Sequence, residues 1–154
     1  VPKWSWAPIL LLLPVALAVA ALVFAAWLAA AVVVTVSAWI WWWPHRQDVL
    51  VVYSNSPIWQ GWFEQRALPS LGSRAVVLNW SDRRTWKLSL AVCLFQVLGG
   101  QQDYTPMIMV FRPLRWPRFF RFYQPFRKYK HGQPEEVERL WEACWRSLRF
   151  QRTS

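Results

Sequence analysis

From Trp4 to Trp43 the chain is apolar almost without interruption. Leu, Ala, Val, Trp and Pro dominate the run, and Ser5, Thr35 and Ser37 are its only polar side chains. No charged residue falls between Lys3 and Arg46. About 20 apolar residues already cross a bilayer, so residues 1–44 are expected to form a membrane segment. A secretory signal has an apolar core of about 7–15 residues, which this run far exceeds. One helix over the whole run would be about 60 Å long, against a hydrocarbon core of about 30 Å. Tilt does not absorb a twofold mismatch. The pattern therefore predicts a transmembrane helical hairpin with legs near Trp6–Val23 and Leu28–Trp43. The alternative is one long helix, with a single span over about Pro8–Leu28 and a continuation lying against a partner. In the hairpin, Trp4, Trp6, Trp39, Trp41, Trp42 and Trp43 meet at one interface, where amphipathic indoles anchor, and Trp27 sits near the other. Lys3 and the basic region after Arg46 then share one side, which the positive-inside rule makes cytoplasmic.

Pro44 ends the run. Residues 45–47 read as a linker and 48–154 as one small domain with a basic tail. Asp48–Ser54 is a continuous apolar stretch, as in a strand buried on both faces. Ser56-Pro57 is a helix start, a cap followed by Pro at the first helical position. Ile58, Trp59, Trp62, Phe63 and Ala67 recur at helical spacing, and Pro69 and Gly72 close that helix. Arg74–Trp80 is a second strand. Ser81-Asp82 caps a helix over about Arg83–Leu98, apolar on most faces and hence deeply covered or in lipid. Pro106–Phe111 is a third strand, Pro113–Pro117 a turn and Arg118–Tyr123 a fourth strand paired with the third. Gly132-Gln133-Pro134 opens the last helix. Glu135 and Glu136 in its first turn and Arg146 and Arg149 near its end match the helix dipole. The fold class is α/β, in the order β-α-β-α-β-β-α.

That order resembles the thioredoxin/glutaredoxin family, and local motifs carry the likeness further. Tyr53-Ser54-Asn55 followed by Ser56-Pro57-Ile58-Trp59 stands where the family has its first strand end and its Cys-Pro-x-Cys helix start. Asp103-Tyr104-Thr105-Pro106 before the third strand is similar to the family's cis-proline loop, which implies a cis bond at Pro106. The resemblance spans about residues 48–150. It also implies what is missing. Ser56 and Trp59 stand at the two cysteine positions, and the family's chemistry needs a thiolate at the helix start. The motif Ser56, Pro57, Ile58, Trp59 is thus degenerate, and Ser56 reads first as an N-cap. The cis-proline loop lies beside the family's active site, but here it reads first as a turn.

Composition narrows the function. Among 154 residues there are 14 Trp, 9 Phe and 4 Tyr, with a net charge of +10. This balance suits an anionic lipid surface or a nucleic acid, and the membrane segment favours lipid. Two cysteines, Cys93 and Cys144, carry neither CxxC spacing nor a Cys/His cluster, so zinc and dithiol chemistry have no support. The resemblance puts the two cysteines on opposite faces of a sheet, unbridged. From Arg112 to Lys130 there are seven basic residues and no acid. Arg112, Arg115, Arg118, Arg121, Arg127, Lys128 and Lys130 interleave with Trp116, Phe119, Phe120, Phe122, Tyr123, Phe126 and Tyr129. Such a stretch suits lipid headgroups, a protein interface or stacked bases. Lipid surface and partner subunit rank first, because a domain on so short a linker must sit against the membrane.

The sequence therefore predicts a non-catalytic accessory subunit of a multisubunit, bacterial-type membrane complex, in a photosynthetic or respiratory setting. It would pack through Ala-rich helix faces (Ala25, Ala26, Ala29, Ala30, Ala31) and hold a redox-silent domain on the cytoplasmic side. Its partners are other membrane subunits and anionic lipid headgroups. No catalytic residue, metal or cofactor is predicted; lipid or pigment contacts are open, with His45 as a candidate ligand. A membrane-tethered thiol- or glutathione-dependent enzyme using Cys93 or Cys144 is the alternative. A nucleic-acid-binding module comes third.

Overall fold

The computed structural model describes residues 7–100 and 105–149; Trp4, Trp6, Asp103, Tyr104 and the basic tail lie outside them. The apolar run forms one continuous helix, α1 (Ala7–Trp42), of 36 residues. At 1.5 Å per residue it is about 54 Å long. This corrects the hairpin. Leu22–Trp27 holds no Gly, Asn or Pro to turn the chain, and it simply continues the helix.

The length mismatch is resolved by burial. Every described side chain from Leu12 to Ala30 is exposed. From there on, Ala31, Thr35, Ala38 and Trp42 are buried, a stripe spaced four, three and four residues apart. The first part of α1 is long and apolar enough to cross a membrane, and the last three turns form a layer of the domain. Small residues at 31, 35 and 38 let the neighbouring helix approach closely.

A 3₁₀ turn (Trp43–His45) follows. Arg46, in the left-handed region at φ 56°, caps it by donating its N–H to the Trp43 carbonyl at 3.0 Å. The segment 45–47, expected as a linker, is hydrogen-bonded. Gln47 N–H donates to the Trp42 carbonyl at 3.0 Å, and Asp48 N–H to the Arg74 carbonyl at 3.2 Å.

The sheet has the order β2-β1-β3-β4. β1 (Val49–Tyr53) pairs parallel with β2 (Ala75–Asn79) and antiparallel with β3 (Met107–Arg112), which pairs antiparallel with β4 (Arg115–Arg121). β1 is buried at all five positions, as its unbroken apolar run requires. Its side chains alternate between two cores. Val49, Val51 and Tyr53 join Ile108, Val110 and Phe120 beneath α2 (residues 60–71), α4 (Tyr123–Tyr129) and α5 (Glu135–Arg149). Leu50 and Val52 join Met107, Met109 and Phe111 beneath α1 and α3 (residues 90–99).

α2 is built from Gln60–Trp62, a π turn Phe63–Ala67 and Leu68–Leu71. Pro69 falls inside its last turn rather than beyond it, and Gly72, at φ +56°, ends it. α3 (Leu90–Leu94, continued by a π turn Phe95–Gly99) is shorter than predicted. Residues Trp80–Thr85 form a separate 3₁₀ turn, capped by the Asn79 side chain. Ser89 is the true N-cap of α3, its Oγ accepting from Val92 N–H at 3.3 Å. α3 packs against both the sheet and α1, burying Ala91, Val92, Leu94, Phe95 and Leu98 and leaving Leu90 and Val97 half-buried. Gly99 makes this possible: a Cβ there would meet Phe95 at 2.6 Å and Met109 at 3.1 Å.

β4 begins earlier than expected. Pro113 and Leu114 make a tight turn with Leu114 at φ 58°, and Pro117 is accommodated in an edge strand, where its missing N–H costs no ladder bond. α5 runs as its charges predicted, with Glu135, Glu136 and Glu138 in its first turn and Arg146 and Arg149 in its last.

Candidate functional site

The segment Ser56-Pro57-Ile58-Trp59, on which the family resemblance rests, lies where β1 and β2 end and β3 begins. The side chains of Ser54, Asn55, Ser56, Asn79 and Ser81 there are each hydrogen-bonded to another protein group. Asn79 Nδ2 donates to Asn55 Oδ1 at 2.6 Å, Ser81 N–H to Asn79 Oδ1 at 3.0 Å, and Asn55 N–H to Ser81 Oγ at 3.0 Å. These three residues close a ring that ties the end of β1 to the end of β2. Sequence reasoning missed it, because nothing links Asn55 to Asn79 before the strands are paired.

Ser56 starts the helical segment. Its carbonyl accepts from Gln60 N–H at 2.9 Å, and its Oγ accepts from Ile58 N–H at 3.4 Å, a capping geometry. Pro57 and Ile58 form the turn into α2. Trp59 is buried; its ring packs on Tyr123 and Phe126 at 6.0 and 6.2 Å, and its Nε1 donates to Ser54 Oγ at 3.2 Å. The second cysteine position of the resemblance is thus an aromatic anchor of the core. The Thr105–Pro106 peptide is cis, and both residues are buried beside this motif's end of the sheet. Tyr53 donates its hydroxyl to Glu64 at 3.2 Å, and burial followed by the nearby Glu64 carboxylate raises its pKa.

Both cysteines are free. Cys144 is fully buried in α5, and burial pushes its thiol up to about 12. A nucleophilic thiolate needs the opposite environment. Cys93, on α3, is half-buried. His45 is exposed, with Nδ1 donating to the Trp41 carbonyl at 2.7 Å. Among the described residues no group of three His, Cys, Asp or Glu side chains is placed to hold a metal.

The tryptophans of α1 divide. Trp42 is buried, edge-on to Phe111 at 5.4 Å. Trp39 is half-buried, while Trp41 and Trp43 are exposed. Trp27 donates Nε1 to the Val97 carbonyl of α3 at 3.0 Å, a link that no sequence signal marks. Trp27 and Trp42 thus bracket the stretch of α1 that touches the domain. Of the five alanines expected to pack against partners, Ala31 packs against the domain and the other four stay exposed.

The basic stretch divides as well. Arg112 donates Nη2 to the Ser147 carbonyl and, at 3.1 Å, to Ser147 Oγ. Lys128 pairs with Glu136 at 2.6 Å. Arg115, Arg118, Arg121, Arg127 and Lys130 are exposed. Arg115 and Arg118 share the Arg112 face of the hairpin by strand register, and Arg121 lies on the other. Burial, then Arg118 and Arg115, lowers the pKa of Arg112. Compared with family models, with curated proteins and with solved structures, the chain matches none.

Proposed function

We propose that this chain is a non-catalytic, membrane-anchored accessory subunit whose thioredoxin-like domain has exchanged redox chemistry for docking on other membrane subunits. The observation that carries this reading is the uncovered face of α1. Val33 and Ile40, 63 and 67% exposed, lie opposite the stripe that meets the domain, and Trp41, 70% exposed, flanks it. A bilayer core takes about 20 residues of helix, which α1 supplies before it meets the domain at Trp27. The exposed apolar positions beyond it need a protein to cover them. The strand order and directions support a thioredoxin-like domain, and Ser56 and Trp59 at its cysteine positions serve as a cap and a core anchor. The basic domain suits the cytoplasmic side by the positive-inside rule, with anionic headgroups as a second contact.

Extraction in mild detergent tests this reading. The chain is expected to migrate with a membrane protein in fixed stoichiometry. Recovery as a monodisperse monomer across several mild detergents would count decisively against it.

A further inference from the structure

Three arginines share one face of the β3–β4 hairpin. Arg112 and Arg115 are directly opposed across the strands, and Arg118 faces Val110 on the same side of the sheet. Directly opposed like charges destabilise a strand pair. Asp48 offsets the repulsion at Arg112 only in part, since its effect ranks below burial and below Arg118 and Arg115. The neighbouring carboxylate, Asp48, is held by Arg74 through a two-point contact, one bond at 2.9 Å. Glu136 and Glu138 are taken by Lys128 and Arg66. Arg112 is anchored to Ser147 through Nη2, while its buried Nε has no partner among the described residues. Arg115 and Arg118 are exposed beside it. Burial first, then Arg118 and Arg115, lowers the pKa of Arg112, in keeping with this crowding of charge.

We propose that Arg112, Arg115 and Arg118 form a binding site for a soluble phosphate-type oxyanion at the turn end of the β3–β4 hairpin. Guanidinium forks match the several acceptor oxygens of such an anion, and a dianion removes the repulsion that the folded chain otherwise carries. Position argues for a soluble source rather than a headgroup of the bilayer crossed by α1. The hairpin packs on the domain end of that helix, through Phe111 on Trp42 at 5.4 Å. Trp42 lies 15 residues, about 22 Å, along the axis from Trp27, where the domain first meets α1.

The test uses the full chain in neutral detergent, with inorganic phosphate as the probe and chloride at matched ionic strength as the control. Phosphate is expected to raise the unfolding midpoint saturably, and chloride is not. Arg115→Gln and Arg118→Gln are each expected to weaken phosphate at least tenfold while leaving the phosphate-free midpoint unchanged or raised, because each removes a repelling charge. Arginines that serve only the fold would lower that midpoint instead. An equal response to phosphate and chloride overturns the site, as does an undiminished phosphate response in both variants. A third arm uses vesicles of phosphatidylcholine with and without phosphatidylserine. Arginine-dependent binding to the anionic vesicles with no response to free phosphate overturns the soluble assignment.

Discussion

Replacing Trp42 with Ala separates a helix that forms part of the domain from one that lies wholly in lipid. The Trp42 side chain is 6% exposed and sits edge-on to Phe111 at 5.4 Å. A buried indole hides roughly 150–250 Å². At about 25 cal/mol per Å² its burial stabilises the fold by roughly 4–6 kcal/mol. Residual compactness of the unfolded chain removes roughly a tenth to two-fifths of that. The ring contact restores ~1 kcal/mol. The expected loss is ~3–5 kcal/mol, the usual range for large aromatics cut to Ala in a core. At roughly 4 °C per kcal/mol for a domain of this size, the midpoint falls by roughly 12–20 °C. The adjacent Trp41 is the control. It is 70% exposed, and its backbone bond to His45 survives substitution, so Trp41→Ala should stay within about 0.5 kcal/mol. Thermal unfolding by far-UV circular dichroism, in one neutral detergent for all three proteins, reads the difference. Near-identical midpoints for the two variants would refute the packing of α1 on the sheet. A larger loss at Trp41 would mean that the helix presents its other face to the domain.

Three further outcomes follow from the same structure. A chain starting at Leu28 keeps the stripe that packs with Leu94 and Leu98 and should stay folded in neutral detergent, whereas one starting at Gln47 exposes that core and should aggregate even there on size-exclusion chromatography. Leu114 holds φ 58° with its side chain 90% exposed, so Leu114→Asn should stabilise by about 0.5–1 kcal/mol in denaturant titration, and a loss would show that the side chain has a partner. The folded pKa values of Cys144 and Tyr53 are raised above their unfolded values, so their contribution is complete below about pH 9 and is lost as pH rises. For Cys144, moved from 9.0 to about 12, the loss reaches ~4 kcal/mol by pH 12; Cys144→Ala should flatten that part of the alkaline titration, and an unchanged profile would refute burial as its cause.

Much of the sheet was legible because its signals are local. The unbroken run Val49–Tyr53 could only be a strand covered on both faces, and the charges at the two ends of α5 fixed its direction. For α1 the sequence offered one long helix only as the alternative to the hairpin, and its packing face was not legible, because a run apolar at nearly every position has no amphipathic face to read. Its seam is written in residue size, Ala31 and Ala38 among valines, with Thr35 as the one polar mark. The start of α3 was misplaced because Ser81-Asp82 offers the same cap chemistry as Ser89, and only packing chooses between them. The candidate site was legible as a set of positions and not as a network. The ring of Asn55, Asn79 and Ser81 and the opposition of Arg112 and Arg115 both depend on strand register, which no single segment encodes.

The junction after α1 has a mechanical consequence. Arg46, Gln47 and Asp48 each donate a backbone N–H to a fixed carbonyl, and Trp27 clamps the other end of the shared stretch to Val97. The domain therefore has no swivel, and α1 acts as a lever arm. A change of about 10° in its tilt would carry the Trp42 end sideways by about 9 Å over a helix about 54 Å long. Any such tilt would be passed on as a displacement of the β3–β4 hairpin that packs on Trp42.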